Sequence, residues 1–142
     1  MEGSAIAALE STPLFAGLSN EDLGSIVDVG RSVSFGSGEA IVEEGDPADG
    51  MYVIASGEAR VDVGGRFHVL KPGDFFGEMA LISPGRRMAT VRAQSDVEAL
   101  KIPAEAFQDF LLEHPAIAVA MLRAIVVRLR EVEQRIDAWM AQ

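Results

Sequence analysis

From Arg31 to Ile102 glycines recur at 36, 38, 45, 50, 57, 64, 65, 73, 77 and 85. Each would cost a helix interior about 1 kcal/mol against alanine, and each is what a tight turn accepts without steric cost. Among them lie short runs rich in β-branched and aromatic residues: "MYVIAS", "EARVDV", "RFHVLK", "ATVRA" and "VEALKI". Asp46-Pro47 and Lys71-Pro72-Gly73-Asp74 add turn signals. This texture excludes long helices here and predicts an antiparallel, jelly-roll-like β-roll or barrel with tight hairpins. Only "GEMALIS" interrupts the pattern, as a short helical turn.

The flanks have a different period. Residues 1–30 read as helices, "AIAALEST" and then "SNEDLGSIVDVG", separated by Pro13. Ser19 is the expected N-cap, with Asp22 three positions on, close to a capping box. Leu14, Phe15 and Leu18 are expected to anchor the connection onto the core. After Pro103, "AEAFQDFLLEH" stops before Pro115, and a long helix follows from about Ala116 to Trp139. The whole is one α+β domain over 1–142, with helices at 1–30, the roll at 31–102 and a C-terminal helical pair at 103–142. In the last helix Leu122, Ile125, Leu129, Val132, Ile136 and Trp139 follow a 3-4-3-4-3 spacing, a heptad seam. Such a seam either lies on the roll or pairs two copies, and the strict period leans toward a homodimer through 116–139.

The chain carries 22 acidic and 12 basic residues, a formal net charge of −10, and no cysteine. No Lys/Arg-dense segment lies outside the last helix, so nucleic acid is not the expected partner. Disulfides and thiolate metal sites are excluded. There is no apolar run of membrane-spanning length, and "MEGSAIAALESTPLF" lacks the form of a secretory signal. A cytoplasmic protein without membrane insertion is the expectation. Its overall charge repels free anions, so any anionic ligand needs a concentrated local cradle.

"GEMALISPGRR" offers one. Gly77 permits a sharp turn and a close backbone approach. The N–H groups of the turn starting at Glu78 suit a phosphate, and a guanidinium at Arg86 or Arg87 could make a bidentate contact to it. Glu78 cannot bind that phosphate, but a carboxylate accepts hydrogen bonds from a sugar hydroxyl. The alternative is an ion pair of Glu78 with Arg87 or Arg86 that merely ties the loop shut, a contact of about 0–1 kcal/mol at a surface. His68 and His114 have no partner at metal-ligand spacing. No nucleophile elbow or Walker loop is present, so neither catalysis nor a cofactor is expected.

"GDPADGMYVIASGEARV" followed by "LKPGDFFGEMALISPGRRMATVRA" resembles the cyclic nucleotide-binding domain of catabolite activators, cyclic-nucleotide-regulated kinases and gated channels. The likeness is most specific in the phosphate-binding cassette, residues 76–91. It implies that Arg87 pairs with the cyclic phosphate and Glu78 accepts from the ribose 2′-hydroxyl. It further implies that Phe76, Gly77, Met79, Ala80 and Ala89 line the ligand, with Arg86 a solvated neighbour. Many bacterial and cGMP-binding members carry Ser or Thr after the cassette arginine. Met88 stands there in this chain, which favours cAMP over cGMP. Catabolite activators present two hydroxyls to the base from the long helix. The matching positions fall at about Val132 and Glu133, so an apolar cover from Val132, Ile136 or Trp139 is expected in their place.

The resemblance thus implies a sensor whose C-terminal helices move on binding and which works through its own dimer or an effector protein that nothing in the sequence identifies. A protein–protein module with a vestigial pocket is the alternative, although such members usually lack the glutamate or the arginine. No helix-turn-helix follows the long helix, so a stand-alone domain is expected rather than a DNA-binding regulator.

Overall fold

The computed structural model describes residues 2–141. Helix α1 (Glu2–Glu10), a 3-10 turn (Pro13–Phe15) and helix α2 (Asn20–Val29) precede the strands. Pro13 has a fixed φ and no N–H to donate, so it opens the 3-10 turn instead of prolonging α1. Ser19 caps α2, its Oγ accepting from the Asp22 N–H at 3.1 Å, as the spacing predicts. Phe15 and Leu23 are fully buried, and Leu14 and Leu18 pack beside them.

The middle of the chain is an antiparallel β-roll. Its strands are β1 (Arg31–Phe35), β2 (Ala40–Val42), β3 (Pro47–Ala48), β4 (Gly50–Ser56), β5 (Ala59–Val63), β6 (Arg66–Leu70), β7 (Phe75–Phe76), β8 (Gly85–Arg86), β9 (Thr90–Ala93) and β10 (Val97–Pro103). One sheet runs β1-β10-β4-β7, the facing sheet β2-β9-β5-β6, and β3 pairs with β8 between them. The five runs picked out by the glycine spacing become β4, β5, β6, β9 and β10.

Strands β4 and β10 form a wall between two cores, which explains why they look continuously apolar. Side chains alternate across a strand. Tyr52, Ile54, Val97 and Ala99 therefore face the interior of the roll. Met51, Val53, Leu100 and Ile102 face the opposite way, against α1, α2 and the C-terminal helices. Strand β5 has solvent on its other side and alternates cleanly, with Ala59 and Val61 buried.

Helix α3 (Ala104–Glu113) leaves β10 at Pro103, and helix α4 (Pro115–Met140) follows after His114. The axes of α3 and α4 turn by 111° at this joint. The His114 ring stacks on Phe110 with centroids 4.2 Å apart, and its Nδ1 lies 2.9 Å from the Phe110 carbonyl oxygen. Phe107 meets Phe15 edge-on at 6.0 Å, locking α3 to the N-terminal turn. Of α4 only Ile117 and Met121 are buried. Beyond them the heptad seam is open, with Leu122 61 %, Leu129 55 % and Trp139 75 % exposed. The seam is therefore not laid on the roll, because the core beneath α4 closes at Met121. Among the described residues no single helix is long and apolar enough to cross a membrane.

Candidate functional site

The cassette begins where β7 ends. Gly77 has φ +79°, in the left-handed region, and turns the chain sharply into a 3-10 helix at Glu78–Leu81. The chain returns through β8, whose pairing with β3 sets Pro47 opposite Arg86 and Ala48 opposite Gly85. Arg87 is then pinned by two backbone bonds: its N–H donates to Asp46 O at 2.7 Å, and its carbonyl accepts from Gly45 N at 2.9 Å. The extended backbone sends neighbouring side chains to opposite sides. Arg86 is exposed and donates to the Gly45 carbonyl at 2.9 Å. Arg87 points inward and is 7 % exposed.

The inward guanidinium is only partly satisfied. Arg87 Nη2 donates to Asp49 Oδ1 at 3.2 Å and to the Gly50 carbonyl at 3.0 Å. Its buried Nε has no hydrogen-bond partner among the described residues. Nη1 lies against Gly77, where a Cβ would stand 2.5 Å from it. A buried, unpartnered N–H of a charged group is costly, and an acceptor brought to it would relieve that cost. Asp49 Oδ2 also accepts from Lys101 Nζ at 2.9 Å. Burial pushes the Asp49 carboxyl up, but the hydrogen bond and charge of Lys101, with the charge of Arg87, hold it below the ordinary carboxylate value. Both cations lie over the Tyr52 ring, which stacks on Phe76 at 5.0 Å.

In front of Arg87 is a cavity of about 300 Å³, with apolar walls that include Val42, Val61 and Val91. Phe76, Gly77, Met79, Ala80, Arg87, Met88 and Ala89 line it, and so does Arg86. Met79 and Met88 stand at its mouth, 75 % and 85 % exposed. Glu78 is placed differently. It lines an adjoining groove of about 440 Å³ with Leu14, Ile125, Arg128, Leu129 and Val132, and only Met79 borders both spaces. Ile136 and Trp139 border neither.

The simple ion pair weighed from the sequence does not form. Among the described residues Glu78 bridges neither Arg86 nor Arg87, and the partner of Arg87 is Asp49. Asp49, Tyr52 and Lys101 are the site residues that sequence reasoning missed. Asp49 and Tyr52 lie inside the stretch "GDPADGMYVIASGEARV", yet only the β4 and β10 pairing brings Lys101 and Tyr52 into register. Chemically the cavity offers a cationic end at Arg87 and apolar walls, which suits a ligand with both an anionic and an apolar part.

Comparison with known proteins gives a consistent picture. The cyclic nucleotide-binding domain family matches residues 32–114, from β1 to the α3–α4 joint. A cAMP-dependent protein kinase regulatory subunit from Emericella nidulans is 37 % identical over 108 residues, covering 74 % of this chain and 26 % of that protein. The cyclic AMP receptor protein of Thermus thermophilus is 30 % identical over 135 residues, covering 91 % of this chain and 62 % of the receptor. The chain thus spans about a quarter of the kinase subunit and less than two thirds of the receptor. The crystal structure of the N-terminal domain of a transcriptional regulator from Streptomyces coelicolor superposes with a TM-score of 0.78 at 32 % identity, over 89 % of this chain and 95 % of that one.

Proposed function

The chain belongs to the cyclic nucleotide-binding domain family, and from that premise we propose that it is a cAMP sensor whose occupancy is read out by α3 and α4. The observation that carries this reading is the buried Nε of Arg87, unpartnered among the described residues at the head of a cavity whose wall is Gly77. A cyclic phosphate supplies the missing acceptor. Apolar walls and two methionines at the mouth take the base, and Met88 brings no hydroxyl for a guanine, which favours cAMP over cGMP. None of the side chains lining the cavity is a carboxylate or an imidazole.

The position of Glu78 supports a route for coupling. To accept from a ribose hydroxyl its carboxylate must leave the groove it shares with Ile125, Leu129 and Val132 of α4. That move alters what α4 touches, which is the differential contact a ligand needs to shift an equilibrium. Val132 is the one candidate cover residue already in that groove. Gln108 of α3 also donates to the Leu81 carbonyl at 3.1 Å, tying the helical pair to the cassette. The exposed seam of α4 favours a homodimer through that helix as the assembled form.

Titration calorimetry with cAMP and cGMP, on protein unfolded and refolded to strip retained nucleotide, tests the reading. Tight cAMP binding with weaker cGMP is expected. Arg87→Ala should weaken cAMP by about a hundredfold, the worth of one or two charge-assisted hydrogen bonds, with the fold retained by circular dichroism. Binding of neither nucleotide, or equal binding by the variant, overturns it.

A further inference from the structure

The cluster behind Arg87 contains two cations and one carboxylate. Asp49 reaches Arg87 with Oδ1 and Lys101 with Oδ2, at 3.2 and 2.9 Å. The side chains of Arg87 and Lys101 are only 5 % and 12 % exposed, while that of Asp49 is 62 % exposed, so solvent screens the two cations less than it screens the carboxylate between them. Their formal charges sum to one positive charge. Remove Lys101 and the sum is zero, with Asp49 left free to neutralise Arg87. A cyclic phosphodiester carries one negative charge, and the chain as a whole carries −10. Attraction for such a ligand therefore depends on a local surplus.

We propose that Lys101 is a positioning residue for the anion: by holding the second oxygen of Asp49 it leaves the charge of Arg87 uncompensated for a monoanionic phosphodiester. Lys101 touches no part of the cavity in front of Arg87 and acts through Asp49 alone. Register fixes it there, since Lys101 stands opposite Tyr52 across β10 and β4, and both cations share that ring. Lys101 and Arg87 together outweigh the opposing effect of burial and hold the Asp49 carboxyl below its ordinary value. This inference rests on the nucleotide-binding reading and adds a residue to it.

Calorimetry with cAMP on the full chain tests it with four proteins: wild type, Lys101→Met, Lys101→Arg, and Lys101→Met combined with Asp49→Asn. Lys101→Met should raise Kd about five- to tenfold, the effect of one unit charge in a partly buried cluster. Lys101→Arg keeps the charge, though not the shape, and should bind more tightly than Lys101→Met. The double variant restores the surplus, and the amide carbonyl introduced by Asp49→Asn can still accept from Arg87, so its affinity should return close to wild type. That rescue is a result a purely structural role for Lys101 would not give. Should Lys101→Met fail to fold, Lys101→Gln carries the same expectation. A Lys101→Met protein that binds like wild type, or a double variant no tighter than Lys101→Met, overturns the proposal and leaves the nucleotide reading standing. A wild-type chain that binds no cyclic nucleotide overturns both.

Discussion

Gly77→Ala probes the cassette at its tightest point. Gly77 has φ +79°, and an added Cβ would lie 2.5 Å from Arg87 Nη1 and 2.9 Å from the Gly50 carbonyl oxygen. The left-handed backbone alone costs a non-glycine residue about 1–2 kcal/mol. The contact adds more, because Gly50 O is backbone and the guanidinium must yield. Displacing Arg87 loosens hydrogen bonds worth about 1.5–3 kcal/mol each. Gly73→Ala is the matched control: Gly73 has φ +94°, but nothing lies within 4 Å of its added Cβ. We expect about 3–4 kcal/mol of destabilisation for Gly77→Ala against about 1–2 for Gly73→Ala. In a chain of this size that is a fall in Tm of roughly 10 °C against roughly 5 °C. Thermal unfolding by circular dichroism reads the stability. Calorimetry with cAMP reads the site, where Gly77→Ala should lose at least about tenfold in affinity and Gly73→Ala should lose none. Equal Tm falls for the two variants, with cAMP affinity intact in both, would refute the claim that Gly77 is glycine to make room for Arg87.

Two further outcomes follow from the same geometry. Asp49 titrates below its ordinary value of 3.8 in the folded chain, so the stability it contributes is full above that value and is lost as pH falls through the lower, folded one. The urea midpoint of wild type should accordingly exceed that of Asp49→Asn at neutral pH, and the gap should close under acid; a gap independent of pH contradicts the assignment. Leu129 is 55 % exposed, so Leu129→Glu should leave the fold of the single chain intact by circular dichroism. In sedimentation velocity it should convert a dimer to a monomer. A wild-type chain that sediments as a monomer, or a variant still dimeric, removes the seam from the assembly.

What could be read from the sequence was local. Gly77, the turn at Lys71–Asp74, the Ser19 cap and the strand runs each follow from residues a few positions apart. The order of elements then followed, and with it the resemblance that assigned Arg87. What could not be read depends on register. Asp49 lies 38 positions from Arg87 and 52 from Lys101, and only the pairing of β3, β4, β8 and β10 brings the three together. Glu78 shows a second limit. Its spacing from Arg87 is visible in the chain, but its aim is set by the turn that follows Gly77, and it faces the α4 groove. The heptad of α4 was equally plain, while the place where the core beneath it ends, at Met121, is a property of packing.

Asp49 links the anion site to the helices in a way that neither the cassette nor the heptad suggests. Its carboxylate holds Arg87, and its own carbonyl accepts from the N–H of Ala104, the first residue of α3, at 2.8 Å. Further along α3, Gln108 holds the carbonyl of Leu81 in the cassette. Both polar anchors of α3 are therefore one hydrogen bond removed from the cassette or from the arginine that a bound nucleotide would contact. Helix α4 joins α3 through a sharp bend at His114. A phosphate that draws Arg87 away from Asp49 would loosen the start of α3 first. Any swing of α4 would then follow from α3, because the two share the Phe110–His114 stack at the bend. On the proposed reading, that ordering would place the sensitive step at Asp49 and the amplified one at α4, where a small rotation near His114 would be carried along a 26-residue helix.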